Sequence, residues 1–335
     1  MKAIVHAQYG SPDIPGILQF KEVEKPLPQD HQLLIKVHAV AVNALDYHLV
    51  SSNPVLIRAM TGNGLLKPKD QKLGVDLAGR VETVGRNVTQ FQPGDEVFGI
   101  ATGGGFAEYA CAAENTCALK PANLSFEAAA AVPVAALTAL QGLRDAGQIE
   151  AGQQVLIYGA SGGVGTFAVQ IAKAFGAEVT AVCSTRNVDQ ARSLGADQVI
   201  DYTQEDFTRT GQYYDLILAV NGYHPLLAYQ RVLHPKGVYV MVGASKAHVI
   251  QAMLQAMLLG SLISRTGSQK MGSMGIAKAN QKDLLFVKEL LEAGKVTPVI
   301  DRRYPLNETA AAIQYLEEGH ARGKVVIIVE QNNQA

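Results

Sequence analysis

Cysteine is scarce. Cys111, Cys117 and Cys183 are the only three in 335 residues, and no two of them make a CxxC pair. An odd count without paired spacing argues against a disulfide framework and against a structural zinc lobe, so a reducing, cytoplasmic setting is expected. Long apolar runs are missing too. The uncharged stretches around residues 128–143 and 249–264 fall short of the ~18–20 apolar residues of a membrane span, and Pro133 and Gln251 interrupt them. The strand-like start Met1-Lys2-Ala3-Ile4-Val5-His6 lacks the apolar core of a signal peptide, so no secretory signal is expected. Nor does one sign of charge dominate: Lys and Arg number 29, Asp and Glu 30, for a formal net charge of -1. With no basic stripe to hold a phosphate backbone, nucleic acid is a poor fit as partner, and a small neutral or weakly charged molecule is a better one. Neither an internal repeat nor a low-complexity tract is visible.

What is present is a strand, a glycine turn and a helix over residues 155–175. Val155-Leu156-Ile157-Tyr158 reads as a buried strand, Gly159-Ala160-Ser161-Gly162-Gly163-Val164-Gly165 as the turn, and Thr166 to Phe175 as a helix with apolar residues at helical spacing. Gly162 lets backbone approach a pyrophosphate and Gly165 lets the helix pack close to the strand, while the N–H groups at the helix start face the anion. A second strand, Glu178-Val179-Thr180-Ala181-Val182-Cys183, follows, which is the context a dinucleotide fingerprint requires.

On either side of this unit the pattern differs. Up to about Asn123, short alternating runs at 33–42, 76–84, 96–100 and 106–111 are separated by Gly and Pro, as in an antiparallel β domain. Residues 51–72 are less regular and read as a loop beside a site. Ser125 followed by Glu127 marks a helix start, and Pro133 restarts a second helix through Gly147. From there strands and helices alternate, which predicts a doubly wound parallel sheet. The expected division is 1–124 with 295–335 in one domain and 125–294 in a Rossmann dinucleotide-binding domain, since the last residues have no βα partner left.

These motifs, together with Pro93-Gly94-Asp95-Glu96-Val97, Gly105-Phe106-Ala107-Glu108-Tyr109, Val42-Asn43 and Gly323-Lys324-Val325-Val326, resemble the medium-chain dehydrogenase/reductase superfamily. The match is to its zinc-independent, zeta-crystallin-like quinone oxidoreductase branch and runs nearly end to end. The resemblance implies an α/β fold, a GroES-like β barrel catalytic domain split around the Rossmann domain, and a homodimer. Members that oxidise simple alcohols carry a cysteine and later a Gly-His-Glu run as zinc ligands. Here the matching stretches read Val42-Asn43-Ala44-Leu45-Asp46 and Gly74-Val75-Asp76, so no metal is expected.

The second Rossmann strand ends in Cys183, where an NAD enzyme would place an acid for the ribose 2′-hydroxyl. Ser184, Thr185 and Arg186 follow, and hydroxyls with a guanidinium suit a 2′-phosphate, so the expected cofactor is NADPH. Tyr202 matches a tyrosine that the family places near the same phosphate; the plain alternative leaves Arg186 in solvent and Tyr202 half-buried. The resemblance places Asn43 and Thr138 near the nicotinamide, with Tyr47 and Asp46 on the wall of the site. Asn43 reads equally as a donor to substrate and as a turn residue bonding its own backbone. Thr138 has the alternative of back-bonding a helix carbonyl. Asn43 and Tyr47 are the catalytic candidates. The cofactor candidates are Thr138, Ser161, Gly162, Gly163, Val164, Gly165, Ser184, Arg186, Tyr202, Asn221, Gly243 and Lys324. Lys324 is carried by the family's Gly-Lys motif alone and reads equally as a solvated lysine. The expected activity is NADPH-dependent reduction of quinones or α,β-unsaturated carbonyls. The alternatives are a zinc-independent alcohol dehydrogenase and a cofactor-binding protein with a structural or interaction role.

Overall fold

The computed structural model describes residues 1–51, 68, 73–221, 224–244 and 248–329. Most of the irregular 51–72 stretch, and Gly222 and Tyr223, lie outside these. The chain divides into two compact units, Met1–Val134 with Ala279–Glu292 and Pro298–Ala335, and Ala135–Lys278 with Ala293–Thr297.

The first unit opens with the antiparallel pair β1 (Lys2–His6) and β2 (Leu18–Glu22). Then come β3 (Gln32–Val42), helix α1 (Ala44–Val50), β4 (Asp76–Val84), β5 (Glu96–Ala101) and β6 (Tyr109–Leu119). Strand β3 pairs antiparallel with both β4 and β6, and β5 joins β4 to β6, so the four strands close on themselves as a barrel. Closure leaves an interior that alternate residues must fill, and Leu33, Ile35, Val37, Leu77 and Val97 do so, each fully buried or nearly so. Helix α2 (Phe126–Ala130) begins as its sequence predicts, with the Ser125 hydroxyl accepting the Ala128 N–H at 3.2 Å.

Helix α3 (Pro133–Gln141) is shorter than the sequence suggests. A π turn over Gly142–Ala146 takes its place before Gly147, closed by the Gly147 N–H donating to the Gly142 carbonyl at 2.9 Å. The second unit then alternates β7 (Gln154–Tyr158), α4 (Gly163–Ala174), β8 (Glu178–Cys183), α5 (Val188–Ser193), β9 (Gln198–Asp201), β10 (Tyr214–Ala219), α6 (Leu226–Arg231), β11 (Leu233–Met241), α7 (Val249–Thr266) and β12 (Lys270–Ser273). Every pairing in its sheet is parallel, in the order β12-β11-β10-β7-β8-β9. Such a sheet is covered on both faces, which is why Val155, Leu156 and Ile157 form an unbroken apolar run at 0% exposure. The chain runs β7, β8, β9 outward on one side and returns to β10 on the other, so the order reverses between β7 and β10. Ligands of open α/β sheets bind beyond the strand ends at such a point.

Helix α8 (Gln281–Glu292) falls to the first unit, although the expected division at residue 294 assigns it to the nucleotide-binding domain. Its packing is on β6 and the turn after it: Gln281 Nε2 donates to the Cys117 carbonyl at 3.1 Å, and Asn123 Nδ2 donates to the Leu291 carbonyl at 3.0 Å. Strand β13 (Ile300–Pro305), helix α9 (Thr309–Glu317) and strand β14 (Lys324–Ile328) complete this unit, with β14 antiparallel to β3. Among the described residues no helix is long and apolar enough to cross a membrane.

Candidate functional site

In the second unit, the glycine turn is shaped as a cradle. Gly159 has φ +83°, and a side chain there would meet the Asn221 backbone nitrogen at 2.9 Å, so the turn brings the ends of β7 and β10 together. A methyl group on Gly165 would collide with the Gly159 carbonyl, whereas one on Gly162 would meet nothing nearer than 3.9 Å. Gly165 is therefore needed for helix α4 to pack, and Gly162 leaves open space at the helix start. The first N–H groups of a helix have no partner within it, so Gly163, Val164 and Gly165 present donors to that space. Gly243 crowds the same edge, since a Cβ there would lie 2.7 Å from the Val220 carbonyl oxygen. A dinucleotide's pyrophosphate fits this donor set and this bare backbone.

The end of β8 gathers the other cofactor candidates. Cys183 is buried, and its burial, with Asp201 adding to the effect, pushes the thiol up to about 11, so it stays neutral. The Tyr202 N–H donates to the Cys183 carbonyl at 3.0 Å, and the exposed Tyr202 ring has its face stacked toward Tyr158 at 6.5 Å. An acid does stand at this edge, but on the neighbouring strand: Asp201 of β9 pairs with Cys183. Its Oδ1 accepts from the Thr203 N–H at 3.0 Å and the Thr203 hydroxyl at 2.8 Å. The Thr185 hydroxyl, then Thr203, hold this carboxyl below its ordinary value. Asn187, which attracted no notice in the sequence, is 3% exposed and donates from Nδ2 to both Ser161 Oγ, at 3.0 Å, and Ser184 Oγ, at 3.1 Å. Thr138 and Val134, one turn apart, are the two half-buried positions of the otherwise buried helix α3 between Pro133 and Gln141.

In the first unit, three strand ends converge on a buried charge. Val325 of β14 lies opposite Val42 of β3, and Asp76 of β4 opposite Ala41, so Lys324, Asn43 and Asp76 become neighbours. The Lys324 ammonium donates to Asn43 Oδ1 at 2.7 Å and to Asp76 Oδ2 at 3.2 Å. Asn43 Nδ2 donates to Asp76 Oδ2 at 3.0 Å and to the Ala41 carbonyl at 3.4 Å, and the Val134 N–H donates to Asp76 Oδ1 at 2.9 Å. Lys324 is 3% exposed and Asp76 0%, so the reading of a solvated lysine is wrong. The pairing supplies the reason, because an ammonium leaves water only for a carboxylate and further acceptors. Burial pushes the Asp76 carboxyl up, and Lys324 chiefly opposes that shift.

Asn43 is also the N-cap of α1, and Asp46, three residues on, reaches back to the Asn43 N–H at 2.8 Å with one oxygen and to the Gly74 N–H at 3.0 Å with the other. Burial nonetheless pushes Asp46 up to about 6. Tyr47 is 8% exposed, its ring 4.0 Å from that of His48, and burial followed by the charge of Glu317 pushes its phenol up to about 12. Asp76 carries the one sequence signal that could have exposed this network, since it stands where the family's Gly-His-Glu run ends. Among the described residues no group of three His, Cys, Asp or Glu side chains is placed to hold a metal ion.

The family model for the alcohol dehydrogenase GroES-like domain matches residues 29–122, and that for zinc-binding dehydrogenase matches 194–327. The chain is 35% identical to the 2-methylene-furan-3-one reductase of Solanum lycopersicum, over 98% of this chain and 79% of that one. It is 34% identical to the mitochondrial NAD(P)H oxidoreductase RTN4IP1 of Mus musculus, over 98% and 89% respectively. The solved structure of the quinone oxidoreductase from Coxiella burnetii superposes with a TM-score of 0.85 at 32% identity, covering 98% of this chain and 99% of that one. A barrel closed by β3 and β6, a parallel sheet with a glycine cradle at its reversal, and these end-to-end likenesses agree on one assignment: the chain belongs to the quinone oxidoreductase branch of the medium-chain dehydrogenase/reductase superfamily and is an NAD(P)H-dependent oxidoreductase.

Proposed function

We propose that this enzyme reduces quinones or α,β-unsaturated carbonyl compounds with NADPH and without zinc. The observation that carries the reading is the buried Lys324–Asp76–Asn43 network, whose Asn43 and Asp76 lie in the two stretches that the family resemblance matches to the metal ligands of alcohol-oxidising members. Its donor set is an amide and a carboxylate already committed to an ammonium, which suits no soft divalent cation. A zinc Lewis acid lends several kcal/mol to a simple carbonyl becoming an alkoxide. Without it the acceptor must be easier to reduce, and in a quinone or enone the incoming charge is spread over a conjugated system. The tomato relative, named for an enone, and the Coxiella quinone oxidoreductase point the same way.

When bound, the reduced nicotinamide supplies the hydride. The chain's own work is to bind and position. Gly162, Gly163, Val164 and Gly165 hold the pyrophosphate, Ser161, Ser184, Arg186 and Tyr202 take the 2′-phosphate, and Thr138, Asn221 and Gly243 serve the nicotinamide end. Asn43 has its amide hydrogens turned to Asp76 and Ala41, so its contribution is to hold the Lys324 ammonium in place. Tyr47, a neutral phenol that burial moves still further from ionising, donates to the acceptor oxygen, and it or water returns the proton. A homodimer and a cytoplasmic location complete the proposal; they rest on the family resemblance and on the scarcity of cysteine.

The test is a matched pair of acceptors, an enone and its saturated ketone, with NADPH oxidation followed for each. Turnover of the enone alone, with no zinc found by elemental analysis, is expected. Efficient oxidation of secondary alcohols, or one tightly held zinc per chain, overturns the proposal.

A further inference from the structure

We propose that Asn187 is the positioning residue that sets cofactor preference, by making Ser161 and Ser184 a pair of hydrogen-bond donors for a phosphate; this rests on the NADPH reading above. The two serines come from different segments, Ser161 from the glycine turn after β7 and Ser184 from the end of β8. Asn187 ties them together, giving one Nδ2 hydrogen to each oxygen at 3.0 and 3.1 Å. A hydroxyl has one hydrogen to give and two lone pairs to receive with. Once an amide N–H occupies a lone pair, the hydrogen must point elsewhere, and among the described residues neither serine hydroxyl has an acceptor for it.

The amide is an expensive way to join two loops if joining is all it does. Asn187 is 3% exposed, and its Oδ1 is buried without a hydrogen-bond partner among the described residues. A buried carbonyl oxygen left bare costs stability, and an apolar side chain of the same size would avoid it. What an apolar side chain could not do is fix the sense of both hydroxyls. Two donors directed outward complement a phosphate dianion, which only accepts. A ribose 2′-hydroxyl gains less from them, since it also needs an acceptor for its own hydrogen.

The near-isosteric change Asn187→Asp reverses this arrangement. A carboxylate takes both serine hydrogens, turns their lone pairs outward and adds a negative charge. Binding of NADP and NAD in their oxidised forms, measured by calorimetry, should show about a 100-fold or greater loss for NADP in Asn187→Asp, with NAD unchanged or tighter, so that the preference inverts. NAD affinity doubles as the check that the fold is intact. Should Asn187→Asp not fold, Ser161→Ala with Ser184→Ala removes the two donors instead, and roughly a tenfold or larger loss confined to NADP is expected. An unchanged NADP to NAD ratio in whichever variant folds, while Arg186→Ala does lose NADP, overturns the role of Asn187. A wild-type protein that binds NAD as tightly as NADP overturns the NADPH reading itself.

Discussion

Replacing Lys324 by Met removes the cation from a carboxylate that has nowhere else to go. Asp76 is 0% exposed and, among the described residues, would keep only the Asn43 amide at 3.0 Å and the Val134 N–H at 2.9 Å. Deleting one partner of a buried ion pair typically costs about 3–5 kcal/mol, most of it the penalty of the charge left behind. At about 1.4 kcal/mol per factor of ten, that is a hundredfold or larger shift in the opening equilibrium. The cost should fall on the first unit, because all the partners lie on β4, β14, the N-cap of α1 and the start of α3. A melting curve of the whole chain mixes two units, so native-state hydrogen exchange is the better assay. Amides of β14 that face β3, such as those of Val325 and Ile327, should exchange at least about 100-fold faster, and those of β7 and β8 should not change. Adding Asp76→Asn should return at least about half of the lost protection, since the stranded charge is then gone. Unchanged protection in Lys324→Met, or single-variant losses that simply add in the double variant, would refute the reasoning.

Arg186→Ala is expected to raise the Michaelis constant for NADPH roughly tenfold or more and to leave NADH nearly unchanged, as one charge-assisted bond of about 1.5–3 kcal/mol is lost. Equal losses for both cofactors would show that Arg186 does not read the phosphate. Asn43→Ala should lower the turnover number more than it raises the Michaelis constant for the acceptor, because the Lys324 ammonium loses its 2.7 Å partner; unchanged turnover contradicts its assignment. Asp46 links folding to pH. Its carboxyl is pushed from the ordinary 3.8 to about 6, by burial first, so the folded chain holds the proton more tightly than the unfolded one. The resulting stability is full below pH 3.8 and is lost as pH rises to about 6, a swing of roughly 3 kcal/mol for about two pK units. Unfolding of wild type and Asp46→Asn compared from pH 4 to 7 should show wild type losing ground across that window, whereas parallel curves would contradict it.

The strand, glycine turn and helix around Val155 were legible because a parallel βα unit writes its geometry into short-range sequence: an apolar strand, then glycines where backbone must approach backbone. Cys183 and Tyr202 were equally legible as residues at strand ends, since only the element boundaries had to be right. What was hidden depends on contacts across the fold. Lys324 looks like any lysine before a strand until β14 is placed beside β3, and only then do Asn43, 281 residues away in sequence, and Asp76 become its partners. Asn187 carries no charge and sits in a short helical turn, so nothing local distinguishes it from a loop asparagine. The end of α3 differs from the sequence expectation for another reason: Gly142 and Gly147 admit an i to i+5 bond, and an apolar helical pattern does not say where such a turn begins.

Passage of hydride from NADPH to the conjugated system of the acceptor leaves an isotopic mark on the product. With NADPH carrying deuterium at the nicotinamide C4 and an enone as acceptor, the product's β-carbon should carry the deuterium, and the α-carbon a proton from solvent. Deuterium on the carbonyl carbon, giving an allylic alcohol, would contradict the account, as would a product free of deuterium from both C4-labelled epimers.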